Sequence, residues 1–364
     1  MRTCFAPASL SGGHVVTYGY AVNDATRMRT TVKTHRPRGT SYDVARAAGV
    51  SQSAVSRCFR PGASVAPATR ARIVAAAAAL GYRPNAIAQG LITRRSNMVA
   101  VIISNLTNLF YPEVLAQLTQ RLSDRGARVL LFTLPAESDV DAVLDQVWRY
   151  RVDGAIVAAR LSPAQIASFA AETTALVLYN RDGGMVPVAS VSCDYTAGDA
   201  LIAGLIAAGH RSFALIEGPA DSAVSAARMA SARHALAAAG LAPVAAARGD
   251  FGYTSGYAAA DRLLAGHPID AIIAANDVMA IGAIDAARLK HAIDIPAKLA
   301  VVGFDGIAPA AWRSYELTTV RQPVDAMAAA AVAMLFDQIE TPGIDVARQI
   351  FAGAVVPGAT ARLA

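Results

Sequence analysis

Between Ser41 and Phe59 the apolar residues fall four positions apart on two separate faces. Val44 and Ala48 share one face, Val55 and Phe59 share the other, and Val50 lies between the pairs. That spacing predicts two short helices joined by a turn. Thr40 or Ser41 can cap the first helix, with Asp43 near its positive end. Gly49 allows the tight turn that ends it, and Ser51 can cap the second helix. A third helix opens at Pro67 and carries Ile73, Ala77 and Leu80 as an apolar stripe before Gly81 closes it. Helices this short do not hold their shape alone in water. The three are therefore expected to pack around Val44, Val50, Val55, Phe59, Ile73 and Leu80.

From Met98 the pattern changes. "MVAVII", "RVLLFTL", "GAIVAA", "ALVLYN" and "VASVSCD" read as buried strands, alternating with helices such as "YPEVLAQLTQRLSDRG" and "DVDAVLDQVWRYR". The alternation continues through "FALIEGP", "VAAARGD", "AIIAAND" and "LAVVGFDG", separated by the helical stretches "SAARMASARHALAAAG", "TSGYAAADRLLAG" and "MAIGAIDAARLKHA". Continuous apolar strands with helices between them predict doubly wound parallel sheets, covered on both faces. Nine or so strands are more than one compact sheet needs, so the expected fold is α/β in two lobes with a cleft between them. Ligands in such sheets bind beyond the carboxyl ends of the strands. The polar residues there are Ser104, Asn180, Arg181, Asp250, Asn276, Asp277 and Asp305.

The remaining segments set the domain limits. Residues 1–38 are polar and without periodicity, and read as a disordered tail, or as an overlong start with Met28 as the true initiator. Residues 39–84 hold the three helices. Residues 85–96 form a linker in which Asn85 can cap a two-turn helix, Ala86 to Ile92, weakened by Gly90. Residues 97–364 form the two-lobed core.

Composition narrows the function. The chain of 364 residues is 54% hydrophobic and 16% charged, with a mean hydropathy of +0.36, but the excess is largely alanine. No stretch approaches the ~20 apolar residues that span a bilayer. The N-terminus lacks a sustained apolar segment of the secretory kind, and Cys4, Cys58 and Cys193 are scattered, so a reduced cytoplasm is the expected setting. Neither the cysteines nor the six histidines have metal-ligand spacing, and no metal or cofactor is expected. Charge is the more telling property. Residues 1–97 carry 14 Lys or Arg against Asp24 and Asp43, a net +12, whereas residues 98–364 carry 19 basic and 25 acidic residues, a net −6. One end of the chain is built to meet a polyanion. The free positions of the second helix, Gln52, Ser53, Ser56 and Arg57, suit base edges, and the pair of helices looks like a helix-turn-helix.

In order and spacing, "DVARAAGVSQSAVSR", "LGYRPNAIAQGL", "NLFYPEVL", "ANDVMAIGA", "VVGFDG" and "LTTVRQP" resemble the lac repressor family of bacterial transcription regulators. The similarity runs from about Thr40 to about Thr360. It implies an all-α DNA-binding domain followed by a core like that of periplasmic sugar-binding proteins, with a small ligand held between the lobes. It also implies that Leu91 enters the minor groove and wedges a base step, with Tyr42, Ser51 and Asn85 completing the DNA-facing set. Arg228 matches an arginine that grips ligand in the family, and Phe251 holds an aromatic position that stacks on a ring. Asn276 and Asp305 stand where hydrogen bonds to ligand hydroxyls are expected, and Gln322 borders the lobe crossover. Ser104, Asn108, Phe110, Tyr111 and Tyr179 are placed on the first lobe's side. Asp277 is read instead as the cap of the helix starting near Met279, Cys58 as packing beside Phe59, and Trp312 as a lid or ordinary packing. The chain departs from the family at Ala66, where a capping Ser or Thr is usual, at "QGL" in the linker, and at Pro357 to Thr360. No trailing heptad helix follows, so a homodimer on a near-palindromic double-stranded operator is expected rather than a tetramer.

The effector implied is a small polar ligand, most simply a sugar. A solute-binding protein without a DNA role is the alternative that the core alone permits. Enzymes are disfavoured, because the sequence lacks G-x-S-x-G, G-x-x-x-x-G-K-[ST] and G-x-G-x-x-G motifs.

Overall fold

The computed structural model describes residues 39–60, 62–83, 95–104, 106, 108–134, 140–172, 174–181 and 183–364. The tail expected over 1–38 and the linker helix with Asn85 and Leu91 lie outside the described residues. The chain divides into two compact units, Met1–Pro84 and Asn85–Ala364.

In the first unit, helices α1 (Ser41–Ala48), α2 (Gln52–Cys58) and α3 (Pro67–Ala79) enclose Val44, Val55 and Ile73, all fully buried. Thr40 is the cap of α1 and works reciprocally with Asp43. Its hydroxyl accepts from the Asp43 N–H at 3.2 Å, and the Asp43 carboxylate accepts from the Thr40 N–H at 2.9 Å. The Thr40 N–H and hydroxyl, both donating to the Asp43 carboxylate, hold its carboxyl below the ordinary carboxylate range. Gly49 ends α1 in the left-handed region at φ 60°, and Ser51 caps α2 through the Ala54 N–H at 3.3 Å. One expected core residue is corrected. Leu80 follows the last turn of α3 and is 38% exposed. Tyr82 packs there instead, with its ring 5.8 Å from that of Phe59.

The second unit holds two six-stranded sheets. Its elements run β1 (Met98–Ser104), α4 (Phe110–Asp124), β2 (Arg128–Leu134), α5 (Val140–Tyr150), β3 (Gly154–Ala158), α6 (Pro163–Ala171), β4 (Ala175–Tyr179), β5 (Ala189–Cys193) and α7 (Thr196–Ala207). They continue with β6 (Phe213–Glu217), α8 (Ala223–Ala238), β7 (Ala245–Arg248), α9 (Tyr253–Gly266), β8 (Ala271–Ala274), α10 (Asp277–Asp285) and β9 (Ala300–Asp305). The last are β10 (Thr318–Arg321), α11 (Val324–Glu340), β11 (Arg348–Phe351) and β12 (Ala354–Val356). Strand order is β11-β5-β4-β3-β1-β2 in the first sheet and β12-β10-β9-β8-β6-β7 in the second. All neighbours are parallel except β10 and β12, which are antiparallel.

The described residues thus contain twelve strands rather than nine. The extra ones, β10 to β12, are three or four residues long, and β11 and β12 are largely exposed, so they leave no apolar run in the sequence. The chain crosses between lobes three times, after β5, after β10 and between β11 and β12. Where it enters the first lobe, the Asp153 carboxylate accepts from the Ser96 and Asn97 N–H groups at 2.7 and 2.8 Å. Arg95 there donates to the Ile339 carbonyl, in the last turn of α11, at 3.0 Å.

Candidate functional site

In the first unit, α2 exposes Ser53 and Arg57, while Gln52 and Ser56 are half-buried. Arg57 folds its Nε toward the Ser53 carbonyl at 3.4 Å, and Gln52 reaches the Ser41 hydroxyl at 3.4 Å. Tyr42 is 69% exposed. Cys58 is buried against the three-helix core, as read from the sequence.

In the second unit, the strand ends of the two lobes face each other across a narrow, nearly closed cleft, whose free volume of about 20 Å³ is roughly that of one water. Asn108, Phe110, Tyr111, Asn180 and Arg181 line it from the first lobe. Ser222, Val224, Arg228, Phe251 and Asp305 line it from the second. Its polar centre is a buried ion pair. The Arg228 guanidinium, on α8, donates to Asp305 Oδ1 at 2.6 Å and to the Ala275 carbonyl at 2.7 Å. Gln322 donates to the same carboxylate oxygen at 2.8 Å. Burial pushes the Asp305 carboxyl up from its ordinary range, and the Arg228 charge works against that rise. Arg228 Nε, Asp305 Oδ2 and Gln322 Oε1 are buried without hydrogen-bond partners. Buried ion pairs are worth little to stability for the desolvation they cost, and three bare polar atoms in one cluster add to that cost. Such a cluster is suited to receiving hydroxyl groups.

Backbone strain collects at the same place. Asn180, Phe251 and Asp305 all have positive φ, at 51°, 69° and 124°. The Phe251 ring lies so close over Gly218 that a Cβ there would stand 2.5 Å from it.

Six of the ten ligand-side residues named from the sequence line the cleft: Asn108, Phe110, Tyr111, Arg228, Phe251 and Asp305. The other four stand buried behind it. Ser104 donates to the Ala158 carbonyl at 3.2 Å. The Tyr179 hydroxyl is fully buried without a hydrogen-bond partner, and burial drives its pKa upward. Gln322 meets Asp305, as described. Asn276 uses both ends of its amide internally, Oδ1 accepting from the Met279 N–H and Nδ2 donating to the Phe251 carbonyl, each at 3.0 Å. Ser222 and Val224 were not singled out in the sequence. Their signal is the capping serine itself, since Ser222 accepts from the Ser225 N–H at the start of α8. Trp312 is 59% exposed and is not part of the lining.

Asp277 is a second correction. Asn276 is the cap of α10, and Asp277 turns inward. Its carboxylate accepts from the Gly306 and Ile307 N–H groups at 2.7 and 2.9 Å and from the Thr319 hydroxyl at 2.5 Å. A Cβ at Gly303 would come within 2.3 Å of Oδ1, so only glycine leaves room there. Asp277 thereby fixes the turn immediately after Asp305. Burial, followed by the nearby Asp305 charge, pushes its carboxyl up to about 7.

Among the described residues no His, Cys, Asp or Glu cluster could hold a metal, and no helix is long and apolar enough to cross a membrane.

A basic helix-turn-helix unit joined to a two-lobed binding core defines a DNA-binding regulator with a small-molecule site. Residues 40–85 match the family described as bacterial regulatory proteins, lacI family, and residues 202–361 match the periplasmic binding protein-like domain. Catabolite control protein A of Priestia megaterium is 30% identical over 84% of this chain and 94% of its own length. The regulator CelR of Thermobifida fusca is 32% identical over 84% and 93%. The lac repressor dimer bound to operator and the anti-inducer ONPF is structurally similar with a TM-score of 0.80 at 27% identity, covering 89% of this chain and 99% of that one. The chain belongs to the LacI family of bacterial regulatory proteins. The match over residues 40–85 sets aside the reading as a solute-binding protein alone.

Proposed function

We propose that this chain is a cytoplasmic homodimeric repressor of a near-palindromic operator of about 14–20 base pairs. Its operator affinity is set by a sugar or sugar derivative in the core cleft, which the protein binds and does not convert. The observation that carries this reading is the cluster of Arg228 Nε, Asp305 Oδ2 and Gln322 Oε1, bare and buried beside the Phe251 ring. Donors and acceptors in one small site, next to an aromatic face, match a polyhydroxylated ring. The relatives agree in kind, since a structural neighbour is a CelR–cellobiose complex at TM-score 0.67 and 29% identity. The ribose operon repressor of Escherichia coli is 30% identical over 83% of this chain.

In this reading the ligand changes the angle between the lobes, and with it the spacing of the paired linkers that bear Asn85 and Leu91 at the operator. It can shift that balance only by its differential affinity for the two lobe arrangements, typically ~1–3 kcal/mol. Calorimetry with ribose, cellobiose and a wider panel of sugars, joined to operator anisotropy, tests it. Arg228→Ala should abolish the sugar response and keep operator binding. Leu91→Ala should weaken operator binding and bending while keeping sugar affinity. A panel in which no sugar binds the wild type would refute the assignment of the effector.

A further inference from the structure

Arg70 lies near the start of α3, and its guanidinium reaches back over the preceding loop. Nη1 donates to the Cys58 carbonyl at 2.8 Å and Nη2 to the Ala63 carbonyl at 3.2 Å. Cys58 is the last residue of α2, and its carbonyl is one of the four that a helix end leaves without an intrahelical partner. Among the described residues, neither the residue after α2 nor the one before α3 is a capping glycine or a capping side chain. The residue after α2 is Phe59 at φ −95°, not a glycine in the left-handed region, and Ala66 before α3 makes no side-chain cap. One planar fork therefore joins the end of α2, the following loop and α3.

The position of α2 depends on such ties. A helix of seven residues has too few internal bonds to fix its own direction. Its N-terminal end is held by Ser51 and by the long contact from Gln52 to Ser41. Its C-terminal end has the Arg70 fork and the packing of Phe59 on Tyr82.

We infer that Arg70 is a positioning residue for DNA reading, setting the angle at which α2 presents Ser53 and Arg57 without itself bonding to DNA. The inference rests on α2 as the base-reading helix and extends specificity to a residue outside it. The rival role for an arginine in this unit is a phosphate contact. The two differ in salt dependence, because each phosphate contact releases counterions and steepens the fall of affinity with salt.

The test uses the full-length protein and two duplexes, one selected by the wild type from a random-sequence pool and one scrambled. Anisotropy is followed from about 50 to 200 mM KCl. Arg70→Lys keeps the charge but offers a point donor that cannot span both carbonyls, Arg70→Met removes the charge, and Arg72→Met is an exposed control on the same helix. Arg70→Lys and Arg70→Met should each narrow the selected-to-scrambled affinity ratio about tenfold or more. Scrambled affinity and salt slope should stay at wild-type values, and Arg72→Met should keep the ratio. If Arg70→Lys kept the ratio while Arg70→Met lowered the slope by about one per protomer, a phosphate contact would replace the inference. Equal losses on both duplexes, with a lowered melting temperature, would reduce Arg70 to a general stabiliser and overturn it too. A wild type that selects no sequence would overturn the assignment of α2 beneath it.

Discussion

Asn276 and Phe251 are joined by one bond, the Asn276 Nδ2 donating to the Phe251 carbonyl at 3.0 Å. The bond holds a left-handed backbone in place, and the other end of the same amide caps α10. Asn276→Asp keeps the capping oxygen and removes the donor, leaving a buried carbonyl unpaired. We expect a loss of about 1–3 kcal/mol in thermal or denaturant unfolding, together with weakened sugar binding. An Asp variant with wild-type stability would show that the strained turn supports itself.

Gly218→Ala addresses the same ring from beneath. A methyl group there would stand 2.5 Å from the Phe251 ring, so the ring must move into the cleft. Calorimetry should show sugar affinity reduced about tenfold, ~1.4 kcal/mol, with operator affinity in the absence of sugar unchanged. Undiminished sugar binding would remove Phe251 from the grip.

Asp277 gives the core a pH dependence of definite sign. Its folded carboxyl titrates at about 7, above the unfolded value of 3.8. A raised pKa means that the folded state holds a proton which the unfolded state has released. The resulting stability is fully present below the unfolded value and is lost as pH rises through about 7. Between the unfolded value of 3.8 and about 7, wild-type stability should therefore fall as pH rises, by at most about 1.4 kcal/mol per pH unit from this group. Asp277→Asn should flatten that part of the profile, measured by denaturant unfolding across pH. Parallel profiles would place the titration elsewhere.

Arg57→Ala tests base reading directly. The side chain is exposed on α2 and bound only loosely to the Ser53 carbonyl. Its loss should cost roughly 1–3 kcal/mol on the selected duplex and relax preference at one base pair. Competition against single-base variants of that duplex measures it. Equal weakening on all sequences would make Arg57 a backbone contact.

The helix-turn-helix was legible because its signals are local. Thr40, Gly49 and Ser51 act on their own neighbours, and a two-residue correction at Leu80 and Tyr82 is all that the tertiary packing changed. The strand-end residues were legible for a related reason. Apolar runs such as "LAVVGFD" mark where a buried strand stops, and parallel sheets place those stops together. What escaped depended on distance. Asn276 and Asp277 are both good capping types, and only the extended backbone at Asn276 decides which one caps. The partners of Asp277 lie some thirty or more positions further on. The short, largely exposed strands β11 and β12 carry too little apolar patterning to announce themselves.

The three lobe crossings bear on how the chain is made. β11, near the C-terminal end, pairs with β5, and α11 covers the first-lobe sheet, yet both are synthesised after nearly all of the second lobe. A nascent chain released as far as Cys193 has strands β1 to β5 but an open edge at β5 and a bare sheet face. Unpaired edges and exposed apolar surface are what aggregating intermediates share. The helical unit at the front can fold as soon as it emerges, whereas neither lobe is complete until the last few dozen residues arrive. Chains truncated after Arg321 should for that reason be insoluble or degraded, and the core should gain its stability in one late step.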